Sequence, residues 1–137
     1  MKFCYDTNKD VQLNALFSLG LICSGSNNSR IAGQMCQLAS YHSADTNPLM
    51  ILRISQGLVH MGKGLMSLNP VYSQGFLINN VALAGLLISI LSFTEVENLI
   101  CGKYQFLIYG LCLAMRPRMT MLVFYIYSFY IFYYFNI

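Results

Sequence analysis

The sequence predicts an all-α fold, a helix-turn-helix solenoid, on three observations. Apolar residues recur at helical spacing through successive segments. Clusters of Gly, Asn, Ser and Pro interrupt those segments. One pattern, Ser-x-Gly-Leu-(Ile/Val)-x-x-Gly, occurs twice at an offset of 37 residues, a period that belongs to helical solenoids. No stretch before residue 119 alternates cleanly at period two, so strands and doubly wound nucleotide-binding folds are not expected.

The first helix is expected over Val11–Cys23, where Val11, Ala15, Leu19 and Ile22 share a face; Asp10 is the expected N-cap and Gly25 the stop. The breakers Gly25, Ser26, Asn27 and Asn28 form a turn, after which Asn28 or Ser29 caps a second helix over residues 30–42. Residues 43–47 read as a loop, and Pro48 suits the first turn of a third helix running from Leu49 to Met61. Gly62-Lys63-Gly64 ends that helix, and residues 67–75, with Asn69-Pro70, form a loose segment. A fourth helix is expected from Phe76 to Ser92. Thr94 and Glu97 fit a capping box, and a last helix covers Tyr104–Met115, ended by Pro117.

The repeated pattern aligns residues 18–25 with residues 55–62 without gaps, and weaker echoes follow at Ala84-Gly85-Leu86-Leu87 and Tyr109-Gly110-Leu111-Cys112. A glycine inside a helix costs about 1 kcal/mol relative to alanine, so close approach of a neighbouring helix is the expected offset. Gly20, Gly57, Gly85 and Gly110 are therefore expected where helices of adjacent repeats touch. Gly25 and Gly62 are expected where the chain must turn.

Composition narrows the function classes. Of the 137 residues, 56% are hydrophobic and 9% charged, against roughly 25% charged in an average globular protein. Such a chain lies in a membrane or is a buried piece of something larger. The net charge of +3 is weak and scattered, which argues against nucleic acid. Five cysteines with no CxxC pair, behind a polar start that is no signal peptide, point to reduced thiols in the cytosol or nucleus. His42 and His60, the only histidines, match no compact zinc-ligand spacing with Cys23 and Cys36. Gly62-Lys63-Gly64 lacks the phosphate-binding loop pattern, and no nucleophile signature is present. Glu95 and Glu97 read as dipole-favouring residues at a helix start, not as a general acid pair. The reading is thus of a non-enzyme with no cofactor, no metal site and no catalytic residue.

Residues 19–32, 37–42, 56–64, 81–87, 107–111 and 114–119 resemble the proteasome/cyclosome repeat family. That family includes large non-ATPase subunits of the proteasome regulatory particle and one subunit of the anaphase-promoting complex. The resemblance covers about residues 2 to 119 and implies terminal repeats of the family's toroid over 1–75, then the helices that follow it over 76–118. It implies a C-terminal fragment of a longer scaffold in the base of the regulatory particle. The implied partners are other regulatory-particle subunits, including the ATPase ring, with ubiquitin and ubiquitin-like domains bound by the full-length family member. The implied location is cytoplasm and nucleus. The resemblance transfers no binding residue, because the best-known receptor helices belong to earlier repeats.

The resemblance stops at residue 119, beyond which the family continues with a charged, mostly β region. Residues 119–137 form instead a hydrophobic aromatic tail, and from Phe124 onward every residue except Ser128 is Phe, Tyr, Ile or Asn. Their codons begin with A or T at both of the first two bases, which fits translated AT-rich non-coding DNA. A tail anchor behind Arg116 and Arg118 competes with that reading, as does an aggregation-prone strand. With no charge in residues 64–94, a small tail-anchored or multi-span membrane protein is the alternative to the scaffold. Asn79, Asn80 and Pro70 interrupt its apolar runs.

Overall fold

The computed structural model describes residues 2–72 and 77–118. Four α-helices dominate it: α1 (Lys9–Ile22), α2 (Ser29–Tyr41), α3 (Thr46–Val59) and α4 (Asn80–Ser92). Short 3₁₀ turns precede α1 (Lys2–Tyr5), follow α3 (Met61–Gly64) and follow α4 (Phe93–Glu95). A π-helical turn (Leu99–Lys103) leads into a ten-residue 3₁₀ helix (Gln105–Ala114). The tail, residues 119–137, lies outside the described residues, as does Phe76.

Asparagines cap three of the four α-helices; Asp45 precedes α3 without a side-chain cap bond. The side chain of Asn8 accepts from the Asp10 N–H, that of Asn28 from the Arg30 N–H, and that of Asn79 from the Val81 and Ala82 N–H groups. Each satisfies a donor that the first helical turn leaves unpaired. The expected cap at Asp10 is therefore corrected to Asn8. The expected capping box at Thr94 does not form either: the Thr94 hydroxyl donates back to the Leu91 carbonyl at 2.7 Å, in a 3₁₀ turn with no α-helix to open.

Two further corrections concern the end of the described chain. The segment 105–114 is helical as expected, but wound as 3₁₀. Leu111 and Ala114 are buried with Ile108 half-buried beside them, a spacing of three that eclipses these side chains on one face at three residues per turn. Strands also exist. Met66–Leu68 (β1) pairs antiparallel with Met115–Pro117 (β2), Ser67 opposite Arg116. Three-residue strands are too short to show alternation, and their pairing depends on a partner some fifty residues away in sequence. Across this ladder the Arg116 guanidinium lies 4.2 Å from the Tyr72 ring centre.

The core joins all these parts. Leu13, Leu16 and Phe17 of α1 meet Leu38 of α2 and Ile51, Leu52 and Leu58 of α3. The chain after α4 completes the cluster with Phe93, Val96, Ile100 and Leu111. Phe17 and Phe93 stack face to face with ring centres 3.6 Å apart. At roughly 25 cal/mol per Å² of apolar surface removed from water, this cluster supplies the main driving force for assembling α1, α3 and the later helices.

Candidate functional site: the seam between repeats

The sequence repeat is a structural repeat. Both α1 and α3 have 14 residues, and their boundaries are related by the same offset of 37 that aligns the pattern. The turns behind them match as well. Gly25 has φ +64° and Gly62 φ +56°, and two residues later Asn27 and Gly64 are again left-handed, at +48° and +87°. A side chain at Gly25 would run into the Met66 carbonyl oxygen, so the glycine answers both a backbone conformation and a close approach.

The seam between α1 and α3 is closed at one point by backbone contact. A Cβ on Gly20 would lie 2.6 Å from Ser55 Cβ and 2.7 Å from Ser55 Cα, so only glycine lets the helices approach this closely. The Ser55 hydroxyl donates to the Leu16 carbonyl at 2.9 Å, fully buried. The turn of the first repeat then closes the end of the second. Gly25 N–H donates to Leu58 O at 2.8 Å, and Asn27 N–H donates to Val59 O at 3.0 Å. These carbonyls belong to the last turn of α3, where helical i+4 donors run out, and the preceding repeat supplies N–H partners for them. Among the exposed side chains at this junction, His60 Nδ1 and Asn27 Oδ1 lie 2.7 Å apart.

Gly57, the counterpart of Gly20, does not touch a neighbouring helix. A Cβ there would meet nothing within 4 Å among the described residues, and the position is exposed. The expectation of a helix contact at Gly57 is corrected: its face points along the stack away from α1. Gly85 and Gly110 do come together. A side chain on Gly85 would strike the Gly110 carbonyl oxygen, and one on Gly110 would lie 2.8 Å from the Gly85 carbonyl oxygen and 2.9 Å from Ser89 Oγ. Ala82, Gly85, Ser89 and Ser92 thus form a small-residue stripe of α4, with Gly85 and Ser89 laid directly on 105–114.

The residues weighed for chemistry lie apart. His42 is buried, with Nε2 3.3 Å from the Cys4 carbonyl, whereas His60 is exposed. Among the described residues no three His, Cys, Asp or Glu side chains gather as metal ligands. Burial pushes the Cys4 thiol above its ordinary value; it does the same at Cys101, with the Glu97 carboxylate adding to it. Cys36 and Cys112 are exposed. The Ser55 hydroxyl, a position that the repeat pattern also contains, is the polar centre of the seam. Its signal was the serine two residues before each repeat glycine.

Residues 14–46 match the family model of the proteasome/cyclosome repeat. That stretch holds Gly20, the α1–α2 turn and all of α2. The chain carries a proteasome/cyclosome repeat. It is 45% identical over 122 residues to the 26S proteasome non-ATPase regulatory subunit 2 homolog A of Arabidopsis thaliana, an alignment covering 89% of this chain and 14% of that protein. It is 40% identical over 118 residues to the 26S proteasome regulatory subunit rpn-1 of Neurospora crassa, covering 86% of this chain and 13% of the relative. Rpn1 of Schizosaccharomyces pombe is 37% identical over the same length. The chain is thus related to one stretch of the proteasomal regulatory subunits and spans about one seventh of their length.

Proposed function

We propose that this chain serves as a non-catalytic scaffold piece of the proteasome regulatory-particle base, supporting ubiquitin-dependent protein degradation by holding subunits together. The observation that carries the reading is the 45% identity over 89% of the chain to a proteasomal non-ATPase regulatory subunit. The repeat helices support it, since α1 and α3 join through a backbone-close contact at Gly20 and Ser55, the kind of nearest-neighbour seam from which helical-repeat scaffolds are built. In this reading residues 1–75 are the terminal repeats of a toroid and 76–118 the helices that follow, with partners among the regulatory-particle subunits, including the ATPase ring. Ubiquitin and ubiquitin-like domains are partners of the longer family member, and the location is cytoplasm and nucleus. No helix among the described residues is long and apolar enough to cross a membrane.

The test is recovery with proteasomes. A tagged chain expressed in cells is followed through native fractionation of the extract. Co-migration with the regulatory particle, retained after a salt wash, is the expected result. Migration away from every regulatory-particle subunit would overturn the reading.

A further inference from the structure

The fold sorts by sign the charges that the sequence scatters. α1 and α3 run parallel. The turn after α1 bonds the last carbonyls of α3, while Lys9 and Gln12 of α1 line one cleft with Asp45, Thr46 and Asn47 at the start of α3. At about 1.5 Å per residue, helices of 14 residues hold these two ends roughly 20 Å apart. Carboxylates collect at the starting end. Asp10 stands in the first turn of α1, Asp45 precedes α3, and Glu97 lines the cleft with Lys9 and Asp45. Asp6 and Glu95 are close neighbours of Asp10 and Glu97 in sequence, which completes the five acids of the chain; residues 73–76 and 119–137, outside the described residues, hold none.

The turn end holds cations instead. Arg30 opens α2 behind the first turn and is exposed. Lys63 stands in the second turn. Arg118 donates its N–H to Leu65 O at 2.7 Å, and its Nη2 would lie 3.7 Å from a Cβ on Gly25. Arg116 holds its guanidinium over the Tyr72 ring. Lys63 is the most informative member. It has φ +54°, between Gly62 at +56° and Gly64 at +87°, a left-handed backbone that strains lysine and that glycine or asparagine takes readily. Its side chain is exposed, so burial does not offset the strain; what the position holds is a charge presented to solvent.

We propose that this end of the molecule binds an acidic segment of a partner protein. Arg30 and Arg118 offer forked donors to carboxylates, and Lys63 a point charge between them. Leu65, 49% exposed beside Lys63, offers a contact to an apolar residue among the acids. Nucleic acid fits less well. Residues 23–30, 60–68 and 115–118 contain no Phe, Tyr or Trp on which bases would stack, and one face of the nearby Tyr72 ring is taken by Arg116. Turns flank a helical stack while repeats add along its axis, so further repeats leave this end clear. The inference does not require the proteasomal role.

The test is fluorescence anisotropy with the full chain. The probes are a labelled peptide of Asp and Glu with one central Leu, its amide analogue of Asn and Gln, and a single-stranded oligonucleotide of equal charge. The acidic peptide should bind and the amide analogue should not. Lys63→Asn, which suits the left-handed backbone, and Arg30→Gln and Arg118→Gln should each weaken binding about threefold to fivefold, the scale of an exposed ion pair. Arg53→Gln and Lys103→Gln remove the same charge elsewhere and should leave Kd unchanged. Circular dichroism checks that each variant keeps its helices. No binding of the acidic peptide, equal binding of its amide analogue, equal losses from the two control variants, or tighter binding of the oligonucleotide would each overturn the proposal.

Discussion

The α1–α3 stack and the α4 hairpin bury opposite kinds of residue. In the stack most buried positions are large, with Leu13, Leu16, Ile51 and Leu52 almost wholly removed from solvent and Gly20 and Ser55 the small pair at the seam. In α4 they are small, Ala82, Gly85, Ser89 and Ser92, while Val81, Leu83, Leu87, Ile88, Ile90 and Leu91 are all more than a third exposed. The stack carries its own hydrophobic driving force. The hairpin is joined through close backbone approach, and the large apolar residues that anchor it follow α4: Phe93, Val96 and Ile100. Stability should be distributed accordingly, with the hairpin opening more readily than the stack.

The largest effect should come from the stack. Leu16→Ala removes a fully buried side chain between α1 and α3 and should cost about 2–5 kcal/mol, read as loss of amide protection throughout both helices in hydrogen exchange. A loss confined to residues 80–114 would reverse the comparison. Gly85→Val should cost about 1–3 kcal/mol by driving a side chain into the Gly110 carbonyl, yet unprotect α4 and 105–114 while leaving α1 and α3 protected. Equal loss in both regions would show them to be one cooperative unit. Ser55→Ala removes the hydroxyl bonded to Leu16 O and leaves that carbonyl to its own helix, a change of about 0.5–1.5 kcal/mol in urea unfolding.

The smallest effect is chemical. Alkylation at mildly basic pH should modify Cys36 and Cys112 first and Cys4 and Cys101 last, since burial both shields the latter thiols and lowers their thiolate fraction at a given pH. Peptide mass spectrometry over time gives the order. Rapid labelling of Cys4 would mean that the first turn opens away from α1 and His42.

Much of the stack was legible in the sequence because its signals are local. The Ser-x-Gly-Leu pattern placed two equivalent helices, and Gly25 and Gly62 marked turns that do require left-handed backbone. Which face each helix buries was not legible. Gly20 and Gly57 share one pattern, and only position in the stack decides that Ser55 covers the first while the second stays open. The β1–β2 ladder was hidden by its shortness, and the 3₁₀ winding of 105–114 by a pattern of Leu107, Ile108 and Leu111 that fits an α-helix equally well. Asn8 outcompeted Asp10 as a cap because the helix begins two residues before its apolar stripe.

The central claim is that one repeat position is sealed in the first helix and open in the second. Leucine at each glycine tests it most directly, with unfolding free energies measured by urea. Gly20→Leu should lose about 1–3 kcal/mol, because the new side chain meets Ser55 at 2.6 Å from its first atom. Gly57→Leu should be neutral or gain up to about 0.8 kcal/mol from helix propensity, having nothing within 4 Å to strike. Equal losses at the two positions would contradict the account.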